Sequence, residues 1–119
     1  MATVYNNIDR VAGDPQATAV VKVELLWDKT TYPVPKHVTE DYMIQGYFII
    51  DVDEEGYWQA SLVPNINIFP ADSIYKVTDT IKEVDTPTTT YIYYIEVPDA
   101  ASPHFWAGNL IITDLPDWM

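Results

Sequence analysis

The residues with the greatest chemical capacity are carboxylates. In "DVDEEG", Asp51, Asp53, Glu55 and Gly56 stand at the first, third, fifth and sixth positions of a calcium-loop pattern. The twelfth position calls for a bidentate glutamate, and Leu62 occupies it. The stretch also runs into strand-like rather than helical sequence. It therefore reads as an acidic hairpin tip that keeps a turn solvated, with loose cation binding across residues 51–56 left open. His37 and His104 are far apart and share no H-x-x-x-H spacing, so they read as loop histidines, not zinc ligands. Ser61, Ser73 and Ser102 lie in no G-x-S-x-G elbow, and the chain has no cysteine. Glu40–Asp41 and Asp53–Glu54 are paired carboxylates, but glycoside hydrolysis needs two facing across a cleft. The 4 glycines are scattered and form no phosphate cradle. The expectation is a protein with no catalytic residue, no cofactor and no metal.

Aromatic side chains carry more information. "TYIYYIEV" alternates Tyr91 and Tyr93 with Ile92 and Tyr94, so one row faces away from the core. That row is exposed or covered by a neighbouring subunit; alternatively its rings pack at the sheet edge with hydroxyls in water. "SPHFWAGN" places Phe105 and Trp106 on a loop, and "DLPDWM" places Trp118 and Met119 beyond the last strand. A terminal tryptophan needs docking, either onto its own domain or into a partner's pocket. Pro64 and Pro70 bracket Ile66, Ile68 and Phe69, which are too apolar for a fully solvated loop. They are expected to plug the open end of a sandwich, with a sticky partner-binding patch as the second reading.

The balance of charge narrows the partners. Eighteen acidic and 6 basic residues give a net charge of −12. Nucleic-acid binding requires a basic footprint, and anionic membrane surfaces attract basic segments, so both are disfavoured. No apolar run approaches the ~20 residues of a membrane span, and no basic-then-apolar leader follows Met1. The chain is expected to be a complete single domain, 1–119, made without a secretion signal. Residues 1–16 form an N-terminal arm or edge strand in this division, and 114–119 a C-terminal tail.

Positioning these residues requires strands. Helical periodicity is almost absent, while Gly and Pro punctuate runs of β-branched and aromatic residues. Strands are predicted at 19–27, 43–52, 57–62, 73–80, 90–97 and 110–113, with a weaker one at 3–8. Ala19, Val21, Val23, Leu25 and Trp27 share one face; so do Ile44, Phe48, Ile50 and Val52, and so do Trp58, Ala60 and Leu62. "DVDEEGYW" is predicted to join the second and third as a hairpin, with Gly56 suited to a positive φ. Prolines cannot donate to a sheet ladder, so Pro64 and Pro70 end pairing on both sides. The passage between them is the length needed to leave one sheet for a facing one. The fold class is all-β: an antiparallel immunoglobulin-like sandwich of about seven strands.

One family resemblance rests on three runs: "VDEEGYWQASLVPNINIFPADSIYKVTDT", "TYIYYIEVPD" and "GNLIITDLP". They carry a D-x-x-G-x-[WF] hairpin at Asp53, Gly56 and Trp58, and an L-x-P-N-x-x-[IV]-x-P crossover at Leu62, Pro64, Asn65, Ile68 and Pro70. Tyr75 and Val77, then Tyr93, Ile95, Val97 and Pro98, then Leu110, Asp114 and Pro116 complete the pattern. This resembles a β-sandwich module of tail proteins from bacteriophages of actinobacteria, over about residues 17–117. Such modules are similar to transthyretin-like and carboxypeptidase-regulatory-like folds and usually form one part of a longer tail protein. The resemblance implies a non-enzymatic virion structural protein, a minor tail or tail-tip component, assembled in the host cytoplasm. Its implied partners are other virion proteins and further copies of itself, a trimer being the natural guess. Capsid decoration and host-glycan binding are the alternatives. Tyr91, Tyr93, Phe105, Trp106, Trp118, Met119, Ile66 and Phe69 are the candidate contact residues.

Overall fold

The structure, a computed structural model, describes residues 1–7, 18–53, 56–82 and 88–119. Alternating apolar residues build ten strands among them: β1 (Ala2–Asn7), β2 (Thr18–Leu26), β3 (Lys36–His37), β4 (Tyr47–Asp51) and β5 (Tyr57–Leu62) in the first half. β6 (Ile68–Phe69), β7 (Ile74–Lys82), β8 (Thr89–Ile95), β9 (His104–Trp106) and β10 (Ile111–Ile112) follow. The fold is all-β and sandwich-like. A five-stranded sheet of order β10-β8-β7-β2-β4 faces a three-stranded sheet of order β5-β1-β9, and β3 with β6 forms a small third sheet. All pairings are antiparallel except β1 with β9, which run parallel.

The core lies between the two larger sheets. Val4, Trp58 and Leu62 from one layer meet Val21, Val23, Tyr75, Val77 and Ile95 from the other, all within a single buried cluster. Period-two alternation decides which side chains enter. In β5, Trp58 and Leu62 are buried while Gln59 and Ser61 are exposed. Burying a side chain as large as Trp58 contributes about 2–3 kcal/mol. The tyrosine at 75 is buried as well, and its hydroxyl donates to the Val63 carbonyl at 2.7 Å.

The proline-flanked passage does cross between layers, since β5 belongs to the three-stranded sheet and β7 to the five-stranded one. Several expectations need correction. "DVDEEGYW" is not a hairpin: β4 pairs with β2 and β5 with β1, so the turn is a corner between sheets. It is closed by Asp53 N–H to the Tyr57 carbonyl, Gly56 N–H to the Asp53 carbonyl and Tyr57 N–H to Asp53 Oδ1, with Gly56 at φ 85°. Glu54 and Glu55 lie outside the described residues, so the carboxylate pattern at 51–56 is only partly placed. The second strand begins at Tyr47, not Met43, which makes an isolated bridge to Lys36. The fifth ends at Ile95, because Val97 turns its N–H and carbonyl to Asn65 instead of a neighbouring strand. "SPHFWAGN" is not a loop throughout: His104, Phe105 and Trp106 pair with Thr3, Val4 and Tyr5.

Candidate interaction surface

The crossover is built from its polar residues. Pro64 stops the β5 ladder, and a 3-10 turn follows at Asn65–Asn67. Asn65 is buried, and both ends of its side-chain amide are hydrogen-bonded. Its Oδ1 accepts from the Val97 N–H at 2.7 Å, its Nδ2 donates to Ser73 Oγ at 3.1 Å, and its own N–H donates to the Val97 carbonyl at 2.9 Å. Nearby, Asn67 Nδ2 donates to Asp99 Oδ2 at 3.2 Å. The side-chain amide of Asn65 thus replaces sheet pairing where prolines have removed it. The Phe69–Pro70 bond is cis, and Asp72 adopts φ 65°, a left-handed conformation that Asp tolerates better than most residues.

This geometry divides the apolar trio. Ile68 is buried and plugs the end of the core, as expected. Ile66, 75% exposed, and Phe69, 38% exposed, do not plug it; they point outward. The Phe69 ring sits edge-on to Tyr32 at 5.4 Å, and Lys36 Nζ lies 5.5 Å from the Phe69 ring centre. Across the small sheet, Met43, Lys36 and Phe69 stand in one row, all exposed.

The C-terminal segment folds back onto the same end of the molecule. Trp118 Nε1 donates to the Asp72 carbonyl at 3.2 Å, so this tryptophan docks on its own domain. The Met119 N–H donates to the Pro116 carbonyl and its side chain remains exposed. Crossover and tail together enclose an open groove of about 710 Å³. Ile66, Ile68, Phe69, Leu115 and Trp118 supply its apolar walls, while Asp72, Glu96, Asp114 and Asp117 supply carboxylates. Among the described residues no lysine, arginine or histidine lines it.

A second surface lies on the outside of the three-stranded sheet. Tyr5 stacks with Tyr57 at 6.1 Å and 27° between planes, and His104 packs tilted against it at 4.7 Å and 44°. Trp106 stands beside Tyr5 in register, 47% exposed, with its Nε1 donating to Asn6 Oδ1 at 2.9 Å. Its ring lies so close over Gly108 that an added Cβ would fall 2.5 Å from two ring carbons.

Of the candidate contact residues, the structure brings Ile66, Phe69 and Trp118 together at the groove and leaves Met119 exposed beside it. It separates the others. Tyr91 is 57% exposed at the far end of β8, but Tyr93 and Phe105 are partly buried against the core and are not surface rows. Tyr93 has a different role. Its hydroxyl accepts from Asn6 Nδ2 at 3.3 Å and bonds to Asp79, whose carboxylate is buried on the inner face of β7. Burial pushes the Asp79 carboxyl up to about 6, against a smaller lowering by Tyr93. Burial and then the Asp79 charge raise the Tyr93 phenol above its ordinary value. Asp79 Oδ1 and Trp58 Nε1 have no hydrogen-bond partner among the described residues.

The sequence reading missed the groove's carboxylates and the Tyr5–Tyr57–His104 cluster. Both depend on residues distant in sequence. The Tyr5–His104 contact requires the parallel β1–β9 pairing, for which no local signal exists. Among the described residues no cluster of three or more metal-ligating side chains occurs, and no helix is long and apolar enough to cross a membrane. Comparison of the chain with protein families, with curated proteins and with solved structures gave no match.

Proposed function

We propose that this protein is a non-enzymatic assembly module, a structural component of a virion in which it serves as a minor tail or tail-tip protein. It acts by protein–protein contact with other virion proteins and with further copies of itself. The observation that carries the binding reading is the groove at the crossover end, where exposed Ile66 and Phe69 converge with Trp118 on a scaffold pinned by the buried hydrogen bonds of Asn65 and the exposed Trp118–Asp72 bond. Apolar and aromatic side chains on a rigid support are what protein contact surfaces use. The assignment to a tail rests on the motif resemblance over residues 17–117.

The mass in solution tests this reading, measured by light scattering alone and with the products of neighbouring genes. A species above the 13.6 kDa monomer is the expected result. A stable monomer that joins none of those products would refute it. The partly exposed Tyr5 and Tyr57 beside the exposed Trp106 favour a second reading, adhesion to a host glycan, because sugars stack on accessible ring faces. Saturable glycan-array binding lost in Trp106→Ala would select it.

A further inference from the structure

The proposed contact function leaves open what chemistry the partner brings. From the groove at the crossover end we infer that it docks a short lysine- or arginine-bearing, apolar-flanked segment of a different polypeptide. This rests on the assembly reading and narrows it. Its apolar walls leave Ile66 75% exposed, Phe69 38% exposed and Leu115 36% exposed in the free chain. Its rim carries Asp72, Glu96, Asp114 and Asp117, all exposed, with no cationic side chain among the described lining residues. A ligand that covers the walls and neutralises the rim must be apolar and cationic at once.

Charge complementarity decides between occupants. A second copy of this chain carries a net charge of −12 and would bring further carboxylates towards the four already there. Three of the lysines are already engaged with rings: Lys22 over Tyr47, Lys29 over Trp27 and Lys36 over Tyr32 and Phe69. The exposed surface also extends beyond the groove. Val38, at the rim, donates its N–H to the Asn67 carbonyl, and the exposed row Phe69–Lys36–Met43 continues from there. A small cation would leave that extension uncovered, whereas a polypeptide segment spans it. The groove volume of about 710 Å³ accommodates two or three of its side chains.

The test uses the full chain and three probes: a capped octapeptide alternating leucine and lysine, its leucine–glutamate counterpart, and spermidine. Calorimetry gives affinity, amide chemical shifts give location, and light scattering on the same samples gives mass. The leucine–lysine peptide is expected to bind and to shift the amides of 65–74 and 112–118 together with the Trp118 indole N–H. Asp114→Asn with Asp117→Asn should weaken it by about tenfold, roughly threefold per exposed carboxylate, and raised salt should weaken it further. Ile66→Ser should weaken it by about fivefold through lost apolar contact, and neither change should alter the thermal midpoint by more than ~2 °C. Equal binding of the glutamate peptide, an equal response to spermidine, or shifts confined to the β1–β5–β9 face would overturn the inference. So would groove shifts that appear only with rising protein concentration, although self-association would leave the assembly reading standing. A protein that stays monomeric and binds neither peptide nor neighbouring gene product would end both.

Discussion

Replacing Asp79 with Asn should remove a pH dependence built into the core. The carboxylate sits on the inner face of β7, is 5% exposed and has one oxygen without a partner among the described residues. Burial raises its pKa from 3.8 to about 6. The folded state therefore holds the proton more tightly than the unfolded chain, and stability falls as pH rises through that interval. The penalty is absent below pH ~4, grows through pH 4–6 and is complete above pH ~7, where it reaches roughly 3 kcal/mol. The assay is urea unfolding of wild type and Asp79→Asn, followed by tryptophan fluorescence at pH 4.5, 6 and 8. Asparagine leaves its own amide incompletely bonded, so absolute stabilities matter less than the difference between the proteins. That difference should move in favour of the variant by about 2 kcal/mol between pH 4.5 and pH 8. The other carboxylates titrate in both proteins and cancel. A difference independent of pH would show that Asp79 is solvated or paired, and the argument from burial would be wrong.

Two further predictions concern the scaffold. Asn65→Ala strands the Val97 N–H inside the protein and removes the bond to Ser73, so it should cost about 2–4 kcal/mol, read as a lower urea midpoint. Asn65→Asp keeps the acceptor for Val97 and should recover part of the loss; an Ala variant within ~0.5 kcal/mol of wild type would contradict the pinning role. Gly108→Ala forces the Trp106 ring off its position and away from Asn6, with an expected cost of about 1–3 kcal/mol. An unchanged Trp106 indole N–H resonance in that variant would contradict the close approach.

Local chemistry is what the sequence made legible. Trp58 and Leu62 alternate with polar residues, so the bounds of β5 and its buried face could be read directly. Pro64 and Pro70 signalled the end of ladder pairing on either side of the passage because neither can donate an N–H. What stayed hidden depended on which strands become neighbours. The turn at Asp53–Gly56 has the residues of a hairpin, yet the same positive φ also serves a corner between layers. Nothing near His104 signals that β9 runs parallel to β1, so Phe105 looked like a loop residue rather than a core one. In "TYIYYIEV" both faces are apolar, and alternation alone could not show that Tyr93 is partly buried and bonded to Asp79 while Tyr91, two residues earlier and paired with Asp79, is exposed.

The same limit explains the groove. Its carboxylates come from the crossover, the segment after β8 and the C-terminal turn, and each alone is an ordinary solvated acid. They gather because Asn65 ties the crossover to Val97 and Trp118 ties the tail to Asp72. Two hydrogen-bonded anchors thereby turn a diffuse excess of negative charge into a localised one beside exposed apolar side chains. A negative field spread evenly over a surface keeps molecules apart without choosing among partners. Concentrated at an apolar groove, it favours a cationic segment over a second acidic chain at that site and leaves contacts between copies to other faces, so discrimination there depends on the anchors as much as on the carboxylates. Trp118→Ala should then lose selectivity for the lysine peptide over the glutamate one even though it deletes no charge. Retained selectivity in that variant would place the discrimination in net charge alone.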